Sequence, residues 1–365
     1  MAVCRQSKNV ELGRKLSLDF FQVTISAVKL GENQRGYRYR QSQRQMKWSC
    51  PKCRKITQFL LQVYAPFENQ QEAFHRAIFI FVCVDPGCCK YNRNENFIVF
   101  RSQLPRDNEF YSFEPPSDND KNDGPSASQF QDLCIVCGIT GPKRCSQCHK
   151  ATYCSKEHQT IDWKTNHKKS CKGDFVPSET KHKEVLFPEF EIVTETEELE
   201  DEQEEPNDAE KLKDYKAFMK TDASKSLMKD EANADLEKMA TSETEDDKIF
   251  FKFKKRIQHE PEQVLRYQLG GDPLFVSSIG IPSTDDIPKC SCAAPRQFEF
   301  QNYTCKYKLS DYTSDATVAS HLDVDRLDDS LDWGTLCVYT CSKNCSISNN
   351  YHPEFLWKQD YASIK

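Results

Sequence analysis

Short runs of β-branched and aromatic residues, set apart by long polar stretches, dominate the hydrophobic pattern of this chain. Two of them, QFLLQVYAP (58–66) and AFHRAIFIFVC (73–83), lie close together in the first third, and two more, RQFEFQ (296–301) and TLCVYTC (335–341), lie in the last. Their composition predicts β-strands. Cysteines bracket both pairs in the same order. Cys50 and Cys53 precede the first strand, and the second ends on Cys83 with Cys88 or Cys89 just beyond; Cys290 and Cys292 precede the third, and the fourth ends on Cys341 with Cys345 four positions on. The order of knuckle, strand, strand, knuckle thus occurs twice. A strand pair whose far ends each carry two thiolates can be closed by one tetrahedral zinc. The pattern therefore predicts an α+β, β-rich fold: two zinc-stapled half-sheets forming one composite domain.

Alanine aside, the longest apolar run is the seven residues Ile78 to Val84. A membrane span needs roughly 20, and the opening MAVCRQSKNVELGRK has no apolar block behind its bases, so a soluble, non-exported protein is expected. In a reducing compartment the 18 Cys read as metal ligands before disulfides. Cys4, Cys305, Cys337 and one of Cys88 and Cys89 are left over as ordinary thiols.

Charge divides the chain further. Residues 178–248 hold 24 Asp/Glu against 10 Lys/Arg, a balance of −14, so with a total of −6 the remainder carries +8. Twelve acids and no base lie between Glu189 and Glu210. Such composition buries too little apolar surface to offset the ordering entropy. The expected organisation is a divergent basic segment (1–47), the N-terminal half of the β domain (48–115), a hinge (116–129), a cysteine-rich unit (130–173), an acidic disordered linker (174–248) and the C-terminal half (249–365).

The unit at 134–171 reads CIVCGITGPKRCSQCHKATYCSKEHQTIDWKTNHKKSC. Its eight candidate ligands are Cys134, Cys137, Cys145, Cys148, Cys154, His158, His167 and Cys171, enough for two zinc sites. So short a run cannot supply a sufficient apolar core, and metal must fold it. Structural zinc contributes on the order of 10 to 16 kcal/mol in finger peptides. With every tetrahedral position filled by a side chain, no place remains for a reactive water. Between Cys134 and Lys172 the chain also carries eight Lys/Arg against Glu157 and Asp162, but no recognition-helix or RNA-stacking motif accompanies them, and direct nucleic-acid binding is not expected.

This pattern resembles the MYND zinc finger, down to the spacing of Tyr153, Cys154, Ser155, His158, Gln159, Asp162 and Trp163. The resemblance implies interleaved sites, one from Cys134, Cys137, Cys154 and His158, the other from Cys145, Cys148, His167 and Cys171. It further implies that Ser146, Gln159 and Trp163 line a groove for proline-rich peptides, where an exposed indole stacks on a preformed proline helix. Alternatively, Trp163 is the hydrophobic plug of a tiny domain.

Cys-Pro-Lys-Cys at 50–53, QFLLQVYAP, AFHRAIFIFVC, KKRIQHEPEQVLRYQLGGDPL, RQFEFQ and LDWGTLCVYTC together resemble the programmed cell death protein 2 family. The cysteine pattern itself calls for four Zn2+, two in the finger and one in each half, and the family resemblance implies a two-half β-rich domain. It also implies a non-enzymatic role as a dedicated chaperone for one newly made small-subunit ribosomal protein (ribosomal protein two), delivered to assembling subunits. Such a protein would be a monomer, cytoplasmic and nuclear. The competing class is a transcriptional adaptor linked to apoptosis and proliferation, in which the finger recruits a corepressor. No methyl-donor pattern, Gly-rich phosphate loop or nucleophile motif favours an enzyme. The family usually opens with a Gly-Gly-x-Pro turn and a strand ahead of its first knuckle, much like Gly270, Gly271, Asp272 and Pro273. Residues 1–47 lack that motif, so the first half is expected to be a strand short, with an edge open to pairing. Separately, the paired half-sheets are expected to form a cleft that takes an extended client segment, which could add as a strand.

Overall fold

The computed structural model of the chain describes residues 2–6, 23–25, 48–108, 113–114, 132–172, 185–187, 190–196, 245–258, 263–303, 331–346 and 351–361. Ten strands form one sheet: β1 (Ala2–Gln6), β2 (Val23–Ile25), β3 (Gln58–Tyr64), β4 (His75–Val82), β5 (Phe97–Leu104), β8 (Phe190–Thr196), β9 (Gln263–Tyr267), β10 (Arg296–Tyr303), β11 (Thr335–Cys341) and β12 (His352–Gln359). β6 (Lys143–Arg144) and β7 (Thr152–Tyr153) make a separate ribbon. Around the large sheet the order is β1-β8-β2-β3-β4-β5-β12-β11-β10-β9, and β1 closes it by pairing antiparallel with both β8 and β9. No helix among the described residues is long and apolar enough to cross a membrane.

The two predicted strand pairs sit in equivalent places. β3 pairs with β4 and β10 with β11, and both pairs carry a register shift at the same point, between Phe59 and Leu61 and between Phe298 and Phe300. The extra residue is Leu60 in one half and Glu299 in the other. Each pair is extended by a third strand that the hydrophobic pattern did not reveal. β5 carries Arg101 and Gln103 in its inward register, and β12 carries Pro353 and Glu354, so neither reads as an apolar run. These two strands join the halves through the register Arg101 to His352, Phe100 to Pro353 and Val99 to Glu354.

Alternation along the strands sorts side chains between inside and outside. Ile78, Ile80, Val82, Val99, Leu265, Phe300, Leu336, Val338 and Leu356 face one shared core with Trp333 at one end. Fully burying such side chains stabilises by roughly 1.5–3 kcal/mol each. One part of that interior is charged. The Arg76 guanidinium spans both Glu299 oxygens, Nη1 to Oε1 at 2.5 Å and Nη2 to Oε2 at 2.7 Å, with all four groups buried. Tyr267 and Thr340 also donate to Glu299. Arg101 donates to Glu354 at 2.7 Å, and Arg296 reaches the other oxygen at 2.9 Å.

Three expectations need correction. The acidic 174–248 stretch is not wholly linker: Val185 and Phe187 are buried, 190–196 forms β8, and a helix begins at Glu245. The sequence FEIVTET alternates well enough for a strand despite its charge. Residues 1–47 are not without strands, since β1 and β2 lie there. Consequently no open edge is left for a client strand among the described residues, because β1 and β8 bridge the gap between β9 and β2. The hinge at 116–129 and the acid-rich remainder at 197–244 fall outside the described residues.

Candidate metal centres

Four groups of side chains bring their ligand atoms within 4.8 Å of one another: Cys50, Cys53, Cys83 and Cys88; Cys134, Cys137, Cys154 and His158; Cys145, Cys148, His167 and Cys171; and Cys290, Cys292, Cys341 and Cys345. Sulfur separations include 3.7 Å for Cys50 to Cys88, 3.5 Å for Cys53 to Cys83, 3.6 Å for Cys290 to Cys345 and 3.5 Å for Cys292 to Cys341. A tetrahedron with arms of about 2.3 Å has edges of about 3.8 Å, so the donors fit zinc in type, number and spacing. In the finger, Cys137 to Cys154 is 3.6 Å and Cys145 to Cys171 is 3.7 Å. His158 turns Nδ1 toward Cys154 at 3.1 Å, whereas His167 turns Nε2 toward Cys148 at 3.4 Å.

The backbone explains how four knuckles of different sequence make one shape. Directly after the second cysteine of each stands a residue with positive φ: Arg54 at 65°, Gly138 at 73°, His149 at 56° and Ala293 at 65°. Each of these donates its N–H to the carbonyl of the first cysteine. The shorter Cys290-Ser291-Cys292 knuckle closes in the same way. Left-handed backbone costs a non-Gly residue on the order of 1–3 kcal/mol, and only one of the four is Gly, so residue type gave no signal of the turn.

Electrostatics favours a cation in these clusters. Burial raises the Cys290 thiol, but the Cys292 backbone N–H and the surrounding thiols outweigh it and lower it to about 6. Burial and hydrogen bonds to Cys290 and Cys341 push Cys345 up to about 12. Four sulfurs packed together can share one negative charge but not four, and a divalent cation removes that conflict. Cys89 stays outside the cluster and directs its thiol at the carbonyl oxygens of Cys83 and Asp85. Cys337 is buried under the outer aromatic residues of β10 and β12. The side chain of Cys4 and all of Cys305 lie outside the described residues.

Within the finger, the helix Lys156–Asp162 starts at Ser155, whose Oγ accepts the His158 N–H at 3.2 Å and so fixes that ligand. Tyr153 donates to the buried Asp162 at 2.7 Å. Ser146 is exposed, Gln159 and Trp163 are half-buried, and Trp163 packs edge-on to His167 with centroids 5.8 Å apart. The finger is not a free appendage. Ile139, with Cys137 and Cys154 beside it, packs onto an aromatic layer of Trp48, Phe59, Phe79, Phe81 and Phe100 on the outside of β3–β5. Just beyond the finger, Val185 joins the finger core and Phe187 the sheet core, a two-point strap between them.

The two ends of the sheet also clasp one another. Because β5 runs antiparallel to β12, the Cys50 and Cys290 clusters occupy opposite ends. Arg101 of the first half donates to the Cys345 carbonyl at 3.2 Å, while Lys358 of the second donates to the Lys90 carbonyl at 3.2 Å. Each half thus holds the other's second knuckle.

A two-half sheet with a zinc-type cluster at each end and a zinc finger docked on one face defines the class. Family descriptions match in the same order: "Programmed cell death protein 2, N-terminal domain" over residues 14–118, "MYND finger" over 134–171 and "Programmed cell death protein 2, C-terminal putative domain" over 247–360. The chain is 43% identical over 317 residues to a Rattus norvegicus protein called Programmed cell death protein 2, covering 86% of this chain and 84% of the relative. It is 42% identical over 319 residues to the Bos taurus protein of that name, with the same coverage. The chain belongs to the programmed cell death protein 2 family. It is also 30% identical over 111 residues, 27% of this chain and 24% of the relative, to the "Probable 20S rRNA accumulation protein 4" of Schizosaccharomyces pombe. No solved structure matches the chain.

Proposed function

We propose that this chain is a non-enzymatic chaperone that holds one newly made small-subunit ribosomal protein and carries it, in cytoplasm and nucleus, to assembling small subunits. The observation that carries the reading is the likeness to the fission-yeast relative, whose name ties it to accumulation of a ribosomal RNA. The clusters add support from chemistry. Each offers four protein donors, so zinc there would be structural, with no open position for substrate. The proposed complement is four Zn2+, two in the finger and one stapling each half of a composite domain, in a monomer. A second reading rests on the finger, where an exposed Ser146 and half-buried Gln159 and Trp163 suit a proline-rich peptide or corepressor segment.

Coexpression with the small-subunit ribosomal protein tests the chaperone reading. A stoichiometric complex that survives high salt is expected, and Trp163→Ala keeps it while Cys341→Ser loses it. A complex abolished by Trp163→Ala hands the lead to the finger-based adaptor. Deleting the finger is a poor test, because removing Ile139 uncovers the aromatic layer beneath it.

A further inference from the structure

Six large apolar side chains are exposed among the described residues, and three of them gather at one corner where the halves meet: Tyr91 at 52%, Ile279 at 56% and Ile281 at 40%. The corner is built from both halves. Tyr91 donates to the Tyr361 carbonyl, the Asn92 N–H donates to Asp360, and Gly280 lies so close to the Asn92 amide that a Cβ there would meet it at 2.8 Å.

The loop bearing the two isoleucines is pinned from behind. Gln359 accepts from the Val276 N–H and donates to the carbonyls of Ser277 and Ile279. Trp357 donates to the Gly280 carbonyl at 2.7 Å, and Asp246 accepts from Ser277 and from both Ser278 groups. Seven hydrogen bonds thus fix a loop whose large side chains point to water. A rigid loop that merely connected strands would gain by turning such residues inward. Exposed apolar side chains held in one geometry bind at low ordering cost.

Charge selects the partner. Between Gly271 and Pro288 the chain has Asp272, Asp285 and Asp286 and no base. Arg93 is engaged by Glu95 and Lys358 by Asp360, and the exposed Lys90 beside Tyr91 is outnumbered by these acids. We propose that Tyr91, Ile279 and Ile281 form a docking surface for a client segment that is rich in Lys and Arg and carries apolar anchors. Identifying that client as the ribosomal protein rests on the chaperone reading, whereas the surface itself rests on the geometry above.

The test uses the full chain carrying Ile279→Asp and Ile281→Asp together, with Tyr91→Ala as a second variant. With the coexpressed ribosomal protein, at least tenfold weaker binding at unchanged melting temperature is expected, together with slowed hydrogen exchange at 277–281 when the client is bound to wild type. Binding within twofold of wild type in both variants overturns the surface and leaves the chaperone reading standing. If wild type binds no ribosomal client, that reading falls, and panning a random peptide library against the full chain decides the surface separately. Recovery of Lys/Arg-rich peptides with apolar anchors that the double variant rejects sustains it; recovery of none overturns it.

Discussion

The two halves of the sheet share a plan but not a covering. Outside β3–β5 the aromatic layer is buried by the finger through Ile139. Outside β10–β12 the corresponding layer of Phe298, Tyr339, Phe355 and Trp357 is packed by the chain's own loop residues Phe275 and Ile287. Inside, the bulges differ: Leu60 stands at that of the first half and Glu299 at that of the second. A repeated scaffold has therefore been divided in labour. One outer face holds a module in place, the other presents a pinned loop, and an ion pair at one bulge locks the halves together. A buried charge pair adds little net stability over apolar packing but penalises any arrangement that separates its partners, which suits a joint between halves 223 residues apart in sequence.

The largest way to break the comparison is to remove the metal. Chelation should unfold the finger, loosen both ends of the sheet and abolish cooperative melting, with an effect on the order of 10 to 16 kcal/mol per finger site. Elemental analysis of the purified chain should return four zinc per molecule before treatment. A count of two, both retained by a Cys53→Ser variant, would leave the finger as the metal-bound part and the sheet clusters as thiols.

Next comes the bulge. Glu299→Leu copies the first half's Leu60 onto the second and strands Arg76 in the interior, which should cost about 3–5 kcal/mol in denaturant unfolding. Adding Arg76→Leu should recover most of that loss, since both charges are then gone. A single variant as stable as wild type would mean that Arg76 finds water, and the joint would not depend on this pair.

Undocking the finger should have a smaller effect. Ile139→Ala removes the side chain that meets the aromatic layer and should cost about 2–5 kcal/mol, depending on how far the site collapses. The finger keeps its zinc in this variant, so hydrogen exchange should quicken in β4 around Phe79–Phe81 while finger amides remain protected. Equal loss of protection in both would show that finger and sheet unfold as one unit.

The sequence disclosed these regions unequally, for physical reasons. The finger was legible because its ligands are local: the His158 and Cys154 spacing and the two Cys-x-x-Cys knuckles close within 38 residues. The repeat was legible because β3, β4, β10 and β11 are short apolar runs ending at thiols. The third strands were hidden by what they do, since Arg101 and Glu354 face inward to partners more than 240 positions away. β8 was hidden by acids that made FEIVTET look like tether, and the docking of Ile139 left no mark, because a single Ile in a polar knuckle reads the same whether exposed or packed. Plain alternation in RQFEFQ would set Glu299 on the face opposite both flanking Phe residues, and the bulge that turns it inward has no signature in residue type.

The mildest prediction compares the acids at the two ends. Glu354 is buried, which would raise it, but hydrogen bonds from His352, Arg101 and Arg296 lower it from the usual 4.5 to about 2. At the other end Asp85 is lowered by an exposed Lys55 at 2.5 Å and by the Gly87 N–H. A carboxyl depressed in the folded state binds its proton more readily when unfolded, so its stabilisation is complete above the unfolded value and is lost as pH falls toward the folded one. For Glu354 the loss between pH 5 and pH 4 is about 0.7 kcal/mol. Glu354→Gln should flatten the acid limb of the stability curve by that amount, whereas Asp85→Asn, broken at an exposed pair screened by water, should leave its slope unchanged. Protonation of the cysteine ligands contributes equally to wild type and both variants, so the difference in slope isolates the carboxyl. Equal slopes for Glu354→Gln and wild type would place Glu354 in reach of water, and the two ends of the sheet would then differ in covering but not in their ionic joints.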